Sequence, residues 1–312
     1  MILCLAGNPS IDKLFEVDRL APGEIHRPDH FIQLPGGKGI HVAQVSAALG
    51  APTLVTGLLA GHTGRWIAET LAAEGVQGHF AWGHGETRSS LSVADRRTGG
   101  LTEFYENGAE IHSYEWDSVE TLLGKLLHQA TWLALAGSMP PGAPADGYGN
   151  LISAARALGV PVAVDTRGEA LERVVQAGPE LVKINVHEAA ELLDRPLAGE
   201  AEARAALQEI RALAGGDGHA VAITLGEDGA MLVDPDATVW RGRLAARGRY
   251  PVGSGDTFLG GLLVGLDRSG SWPEALRVAL GAAAANAEMP GAARFDADRA
   301  GELAAKAEVE RV

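Results

Sequence analysis

The sequence is poor in cysteine and in basic side chains. The first shortage limits the disulfides that the chain can form, and the second limits the classes of partner that it can bind. The single cysteine, Cys4, has no partner within the chain, which excludes an intramolecular disulfide, and its apolar neighbours favour a small core residue. Lysine and arginine total 26 against 40 aspartate and glutamate residues, giving a formal charge of −14. Because nucleic acids and anionic membranes are bound by broad basic surfaces, we expect neither as a partner.

Long hydrophobic runs are also lacking. No stretch approaches the ~18 consecutive apolar residues of a membrane-spanning helix, and the first residues show neither the basic nor the apolar region of a signal peptide. We therefore expect a cytoplasmic, non-membrane protein. Apolar residues still make up 46% of the 312 residues, which is enough for a sizeable hydrophobic core.

Short apolar runs alternate with helical patterns along most of the chain. This alternation is typical of βαβ units and predicts an α/β fold with a mainly parallel sheet. The runs that predict parallel strands are 2–6, 53–59, 132–136, 160–164 and 181–184. A strand pair is predicted over 219–225 and 230–233, around a tight turn at 226–229, and helices are predicted for the final third.

Two segments, 14–34 and 89–106, interrupt this rhythm. In the second segment, apolar residues flank Arg97-Thr98-Gly99-Gly100, which predicts a hairpin turn between exposed strands. We expect the two segments to pair into a small β-sheet that projects from the core. Such a sheet could close a cleft as a lid, form a dimer interface, or be a pair of surface hairpins with no further role.

The strongest chemical signal is the glycine-rich helix start at Gly253-Ser254-Gly255-Asp256. Leucines at helical spacing follow it, and glycine allows the backbone to approach a ligand closely. A helix start with unpaired N–H groups binds anions, such as a phosphate in transit. Asp256 could serve as an ordinary helix cap, or as the base that takes a proton from a hydroxyl while phosphate is transferred.

A second glycine cluster, Gly36-Gly37-Lys38-Gly39, precedes a helical pattern that ends near Gly50. Alone it is weak evidence for a site where ligand hydroxyls approach the main chain. It lacks the spacing of a Walker A loop, and no Gly-x-Gly-x-x-Gly motif follows the first strand. The sequence therefore disfavours a P-loop function and a dinucleotide-binding function.

Taken in order, these motifs resemble those of the ribokinase-like (PfkB) carbohydrate kinases. Within that family the chain is most similar to the branch of 1-phosphofructokinase, tagatose-6-phosphate kinase and the minor 6-phosphofructokinase. The resemblance extends over nearly the whole chain. The matching motifs are Asn8-Pro9-Ser10-Ile11-Asp12, Gly36-Gly37-Lys38-Gly39, Thr87-Arg88, Gly137-Ser138-Met139-Pro140-Pro141-Gly142, Lys183-Ile184-Asn185-Val186-His187-Glu188, Thr224-Leu225-Gly226-Glu227-Asp228-Gly229 and Gly253-Ser254-Gly255-Asp256.

The resemblance implies a single ribokinase-like kinase domain over residues 1–312. Its fold would be a doubly wound, mainly parallel sheet flanked by helices, with a lid formed by about 14–34 and 89–106. The implied reaction is ATP-dependent phosphorylation of a hydroxyl of a sugar phosphate, with Mg²⁺ as cofactor. Fructose 1-phosphate, fructose 6-phosphate and tagatose 6-phosphate all remain open as acceptors, and a homodimer through the lid is expected by analogy.

The resemblance also implies roles for individual residues. The catalytic group comprises Asp256 as the base and the backbone N–H groups of Gly253, Ser254 and Gly255. The substrate-binding residues would be Asp12, Gly36, Gly37, Lys38, His41 and Ser138, with Arg88 and Arg27 for the phosphate of the sugar. The nucleotide-binding residues would be Lys183, Asn185, Glu188, Thr224, Gly226 and Gly229, with Glu188 and Asn185 holding Mg²⁺ through water.

Several positions leave alternatives open. Branch members usually have asparagine where this chain has His41, so His41 is either a sugar contact that alters the acceptor or a packed helix residue. Arg88 and Arg27 are either phosphate ligands or solvated surface residues. Tyr250-Pro251 stands where a polar pair often precedes the anion site, which puts a monovalent-cation site in doubt. The competing functions are a kinase for an unphosphorylated sugar or nucleoside, and a regulator that binds sugar or nucleotide without catalysis.

Overall fold

The computed structural model describes residues 1–246 and 248–312, and in this part of the chain it contains fourteen β-strands and ten α-helices. The strands are β1 (Ile2–Ala6), β2 (Ser10–Val17), β3 (His30–Gly36), β4 (Thr53–Ala60), β5 (Gln77–Gly83), β6 (Arg88–Asp95), β7 (Leu101–Tyr105), β8 (Trp132–Ala136), β9 (Val162–Asp165), β10 (Leu181–Asn185), β11 (Ala220–Thr224), β12 (Ala230–Val233), β13 (Val239–Arg243) and β14 (Glu308–Arg311). The helices are α1 (Lys38–Ala48), α2 (Gly61–Ala73), α3 (Ser113–Leu127), α4 (Gly147–Ala157), α5 (Gly168–Gln176), α6 (Val186–Leu192), α7 (Glu200–Leu213), α8 (Ser254–Ser269), α9 (Trp272–Ala287) and α10 (Ala297–Ala304).

The main sheet has the strand order β14-β13-β12-β11-β10-β9-β8-β1-β4-β5. The strands from β5 to β11 run parallel, and β12, β13 and β14 extend the sheet antiparallel. The predicted α/β fold with a mainly parallel sheet is therefore confirmed. The prediction of helices for the final third is partly wrong, because β13 and β14 extend the sheet there and β14 forms its edge.

Helices cover both faces of the main sheet, and β1 shows why its sequence is continuously apolar. Ile2 and Cys4 pack in the core beneath α1, α2, α8 and α9, whereas Leu3 and Leu5 pack in the core beneath α3 and α4. Successive side chains of a strand point to opposite faces, so a strand that is covered on both sides needs an apolar residue at every position. A third core lies beneath α5 and α7.

A second, four-stranded sheet has the order β3-β2-β6-β7. Strand β2 pairs antiparallel with β3 and parallel with β6. The predicted turn closes the β6–β7 hairpin: Asp95 accepts hydrogen bonds from the backbone N–H groups of Arg97 and Thr98, both at 2.9 Å. The sheet starts earlier than predicted, at Ser10 rather than near residue 14, which brings the first residues of β2 close to the end of β1.

Among the helices in the described residues, none has both the length and the apolar character that crossing a membrane requires.

Candidate active site

The predicted site residues converge at the carboxyl ends of neighbouring parallel strands. Ser138 follows β8, Lys183 and Asn185 are in β10, and Thr224 ends β11. In open α/β sheets this edge is where ligands bind, because the loops and helix starts that leave the strands are free there. Helices α1 and α8 both begin beside this edge and contribute their first turns to the site.

Three glycines of the Gly36-Gly37-Lys38-Gly39 cluster position α1 against the sheet. Gly37 is the N-cap of α1 and has φ of 100°, a left-handed conformation that favours glycine. A Cβ on Gly39 would collide with the carbonyl oxygen of Leu5, so α1 can pack directly on β1. A Cβ on Gly36 would collide with the carboxylate of Asp12. The glycines therefore let α1 and Asp12 approach each other closely.

The start of α8 has the geometry of an anion site. Gly253 is its N-cap, with φ of 79°, and the N–H of Ser254 donates to the carbonyl oxygen of Pro251 at 3.1 Å. Within residues 1–246 and 248–312, the N–H groups of Gly255 and Asp256 have no acceptor. The dipole of this 16-residue helix adds positive potential at the same point. The N–H of Ser254, one of the backbone donors predicted to bind the anion, is thus already hydrogen-bonded within the protein.

Asp256 does not cap its own helix in the described structure. Its carboxylate is buried in the first turn of α8 and accepts a hydrogen bond from Nδ1 of His41 at 2.7 Å. Nε2 of His41 lies 3.3 Å from Oδ2 of Asp12, whose Oδ1 accepts a hydrogen bond from Ser10 at 2.6 Å. A single chain of polar contacts thus joins the predicted base to the carboxylate predicted to bind the sugar.

The two carboxylates determine the protonation state of His41. Burial by itself lowers the pKa of His41, but hydrogen bonds to Asp12 and Asp256 outweigh burial and raise it to about 10. Burial by itself raises the pKa of Asp12, and the hydrogen bonds and charge of His41 hold it below its usual value. His41 is therefore an imidazolium at neutral pH, with a carboxylate at each ring nitrogen.

Asp165 lies between two lysines of the site, Lys38 and Lys183. Its carboxylate is fully buried at the end of β9 and forms ion pairs with Lys38 and Lys183, each at 2.5 Å. Burial by itself raises the pKa of Asp165, but the two ammonium groups hold it below its usual value. Sequence reasoning did not select Asp165 as a site residue, although an aspartate that ends a buried apolar strand is a recognisable signal.

Lys38 lies closer to the residues predicted to bind the nucleotide than its glycine motif suggested. Its ammonium group pairs with Asp165 and is 3.7 Å from Oε1 of Glu188. Burial by itself lowers the pKa of Lys38, and the neighbouring carboxylates, Asp165 foremost, raise it well above its usual value. Lys38 therefore stays charged between the two predicted halves of the site.

The predicted nucleotide-side residues surround the ends of β10 and β11. Asn185 caps α6, because its Oδ1 accepts hydrogen bonds from the N–H groups of His187 and Glu188 at 2.9 Å. Oε2 of Glu188 accepts from the N–H of Asn185 at 2.9 Å, which completes a capping box. Thr224 ends β11, and Gly226 and Gly229 form the turn that leads to β12.

The two predicted phosphate ligands in the small sheet have different surroundings. Nε and Nη2 of Arg88 donate to the carbonyl oxygen of Asn8, and Nη1 donates to Ser90 and to the carbonyl oxygen of Glu106. Arg27 lies exposed in the connection between β2 and β3 and, within the part of the chain that is described, has no polar contact with the other site residues. Ser138 accepts a hydrogen bond from Asn8 at 3.5 Å.

Residues 5–298 match the family described as pfkB family carbohydrate kinase. Among solved structures, the chain is similar to the tetrameric inhibited form of phosphofructokinase-2 from Escherichia coli, with 29% identity, a TM-score of 0.88, and coverage of 97% of this chain and 98% of that one. The same enzyme in complex with fructose-6-phosphate matches with 29% identity and a TM-score of 0.87, covering 97% of each chain.

A third similar structure comes from Thermotoga maritima and is described as a possible 1-phosphofructokinase. It shares 20% identity and a TM-score of 0.85, with coverage of 100% of this chain and 99% of that one, which shows the shared fold. The family match covers most of the chain and agrees with the ribokinase-like fold and the order of the motifs. The chain belongs to the pfkB family of carbohydrate kinases and is a phosphotransferase that acts on an alcohol group of a sugar.

Proposed function

We propose that the protein transfers the γ-phosphoryl group of ATP to a hydroxyl of a hexose phosphate, with Asp256 as the general base. The observation that supports this most is the first turn of α8, where the N–H groups of Gly255 and Asp256 have no acceptor among the described residues and the carboxylate of Asp256 belongs to the same turn. Phosphoryl transfer needs an aligned hydroxyl and a neutralised phosphoryl group, and little other chemistry. A base and an anion site at one point provide both.

The proton and the phosphoryl group are handled by separate atoms in this proposal. Oδ2 of Asp256 is held by His41, which leaves Oδ1 to accept the proton of the sugar hydroxyl. The free N–H groups of α8 stabilise the negative charge of the phosphoryl group as it moves. Lys183 adds positive charge, because its Nζ lies 2.9 Å from the point that a Cβ on Gly255 would occupy.

Mg²⁺ fits the nucleotide side of the site through Glu188. Oε1 of Glu188 has Lys38 as its charged neighbour, at 3.7 Å, whereas the Oδ1 atom of Asn185 is used in capping α6. Mg²⁺ prefers oxygen ligands and keeps much of its water shell, so Glu188 would hold it directly or through water. When bound, Mg²⁺ neutralises charge on the phosphates of ATP. Lys183, Thr224 and the turn of Gly226 and Gly229 would bind the nucleotide.

A phosphate on the acceptor sugar would meet Arg88. This guanidinium has five N–H donors, of which four are used in the hydrogen bonds to β6 and neighbouring loops. Within the described residues the remaining donor has no acceptor, and the positive charge of Arg88 acts on Asp12. The E. coli phosphofructokinase-2 that is similar to this chain has been solved with fructose-6-phosphate, which supports a hexose phosphate as the acceptor.

A second candidate acceptor is an unphosphorylated sugar or a nucleoside. The observation that favours it is the set of four hydrogen bonds that Arg88 donates within the protein. These bonds leave Arg88 little capacity for bidentate binding of a phosphate. In this alternative Arg88 only holds the small sheet to the loop at Asn8.

A substrate panel tests the proposal and separates the alternatives. ADP release would be measured with ATP and each of fructose 1-phosphate, fructose 6-phosphate, tagatose 6-phosphate, fructose, ribose and adenosine. We expect turnover with at least one hexose phosphate at a higher kcat/KM than with any neutral acceptor. Turnover with neutral acceptors alone would favour the second candidate. Binding of sugar or ATP without any ADP release would indicate a regulator instead.

The small sheet would act both as the lid and as the contact between two copies of the chain. Its exposed surface has four large hydrophobic residues, with Phe31 and Phe104 on one face and Leu101 and Tyr105 on the other, and β7 is an edge strand that is exposed throughout. Exposed apolar patches and unpaired strand edges are typical of interaction sites. We propose a homodimer through this surface. A cytoplasmic location, where ATP is made and used, completes the proposal.

A further inference from the structure

His41 connects two elements that otherwise belong to different parts of the site. It is in the first turn of α1, with 6% of its surface exposed, between Asp256 of α8 and Asp12 of β2. Its two ring nitrogens contact the two carboxylates at 2.7 and 3.3 Å. Because an ionised carboxylate can only accept hydrogen bonds, a ring that donates to both carboxylates has a proton on each nitrogen.

We propose that His41 is a positioning residue, whose imidazolium holds the general base and the sugar-binding carboxylate at a fixed separation within one hydrogen-bonded array. This inference rests on the proposed function and adds a residue to it. Asp256 would keep Oδ1 directed toward the acceptor hydroxyl because Oδ2 is tied to His41. Asp12 would be held in the same way by His41 and Ser10.

An amide at position 41 could not replace both contacts. The two N–H groups of an imidazolium lie on opposite sides of a rigid ring, whereas the N–H groups of asparagine share one nitrogen on a shorter side chain. An amide also has no charge, so Asp12 and Asp256 would face each other without the cation that now separates them. Ionised carboxylates without a cation at a buried position favour uptake of a proton, so in this chain the two carboxylates would need a higher pH to stay ionised.

Charged groups face His41 from two of the elements that pack against it. Asp12 faces the ring from β2 and Asp256 faces it from α8. The next cations are Lys38 in α1, which acts on Asp256 through space, and Arg88 in β6, which acts on Asp12. Neither replaces His41, because Lys38 is paired with Asp165 and Arg88 donates to backbone carbonyls and to Ser90.

The kinetic test compares the wild type with His41→Asn and His41→Gln over a range of pH, using the best acceptor of the substrate panel. We expect kcat to fall by ~10²-fold, as for a reacting group displaced by about 1 Å, with the KM for ATP unchanged. The acid limb of kcat/KM should also move to higher pH, because the two carboxylates lose the cation between them. A loss of kcat with an unmoved acid limb would make His41 a packing residue and overturn the proposal.

Val45→Ala is the matched control on the same helix. Val45 packs against Gly260 of α8, where its Cγ1 lies 2.6 Å from the point that a Cβ on Gly260 would occupy. The variant loosens the contact of α1 with α8 but leaves both carboxylates paired with His41. We expect a lower Tm with the acid limb at its wild-type position. An acid limb that moved in this variant as well would show that helix packing, not the imidazolium, controls the base.

A spectroscopic test does not depend on activity. ¹⁵N NMR of the full chain without substrate, with the His41 signals assigned by their loss in His41→Asn, reports directly whether both ring nitrogens are protonated. We expect both to be protonated at pH 7.5, and the His41 pKa to fall in Asp12→Asn. A neutral ring at pH 7.5 would overturn the proposal even if the protein is a hexose-phosphate kinase. If His41 is an imidazolium but the protein phosphorylates no sugar, the contact of His41 with both carboxylates is supported and the proposed function is rejected.

Discussion

Nζ of Lys183 lies 2.9 Å from the point that a Cβ on Gly255 would occupy, so the lysine and the first turn of α8 share one small space. The ammonium group is buried and paired with Asp165, while the N–H of Gly255 has no acceptor in the part of the chain that the structure describes. The same space would receive the phosphoryl group in the proposed reaction. Only glycine at position 255 leaves that space open.

Gly255→Ala should therefore damage activity without unfolding the protein. The added methyl group would push the ammonium of Lys183 aside, and we expect kcat to fall by ~10²-fold, as a misplacement of about 1 Å can cause. Stability should change little, because alanine is favoured over glycine within a helix by roughly 1 kcal/mol and offsets the shift of the lysine. Steady-state kinetics and urea unfolding would measure the two effects.

Gly124→Ala is the control for this prediction. Gly124 is within α3, and a Cβ there would meet nothing within 4 Å. This variant should be more stable than the wild type by roughly 0.5–1 kcal/mol, with unchanged kcat. If Gly255→Ala retained full activity as well, the start of α8 would not be the phosphoryl site.

Arg88→Ala tests whether the acceptor has a phosphate. We expect the KM for the sugar phosphate to rise roughly 10- to 100-fold, the equivalent of ~1.5–3 kcal/mol for a hydrogen bond to a charged group. The KM for a neutral sugar should change little. Arg96→Ala, which removes an exposed ion pair with Asp29 next to the ends of β6 and β3, is the control and should leave both constants unchanged. Equal effects of Arg88→Ala on both kinds of acceptor would contradict a phosphate-binding role.

The strands of the core were predictable from the sequence because burial on both faces leaves a local mark. Runs such as Ile2–Ala6 and Trp132–Ala136 are apolar at every position, and their predicted bounds are those observed. Strands β5 and β14 were not predicted, because they form the edges of the main sheet and most of their residues are exposed. Edge strands show weaker patterns because only part of each strand is covered.

The site was predictable as a set of motifs but not as a set of contacts. The glycine-rich starts of α1 and α8 are visible in the sequence because each motif is local. The contact between His41 and Asp256 joins residues 215 positions apart, and the pairing of Lys38 with Asp165 joins residues 127 positions apart. No local pattern records such contacts. That is why His41 stayed undecided between a sugar contact and a packed residue, and why Asp165 was missed.

The raised pKa of His41 predicts how stability depends on pH. A histidine whose pKa rises from 6.5 to about 10 on folding stabilises the protein fully below pH 6.5, and this stabilisation is lost as pH rises through about 10. The difference in unfolding free energy between the wild type and His41→Asn should therefore shrink between pH 6.5 and 10. We expect the change to exceed ~1.4 kcal/mol, the equivalent of one pKa unit. Urea unfolding at several pH values would measure it, and a constant difference would contradict the imidazolium.

Phe104→Asp tests the proposed dimer. Phe104 is 58% exposed on β7, at the edge of the small sheet, so a charge there should not disturb the core. We expect the wild type to have twice the mass of the chain by light scattering, and the variant to be a monomer. Trp82→Asp places a charge on an exposed aromatic residue of the main sheet and should remain dimeric. A monomeric wild type would reject the lid interface.

The role of Asp256 as the base is the central claim, and Asp256→Asn tests it most directly. Asparagine keeps the shape of the side chain and cannot accept the proton of the sugar hydroxyl. Asp267→Asn, an exposed position near the far end of α8, is the matched control. The measurement is kcat with the best acceptor, together with calorimetric affinities for ATP and the sugar. We predict a loss of ~10²- to 10⁴-fold in kcat with both affinities retained, and turnover close to that of the wild type would contradict the account.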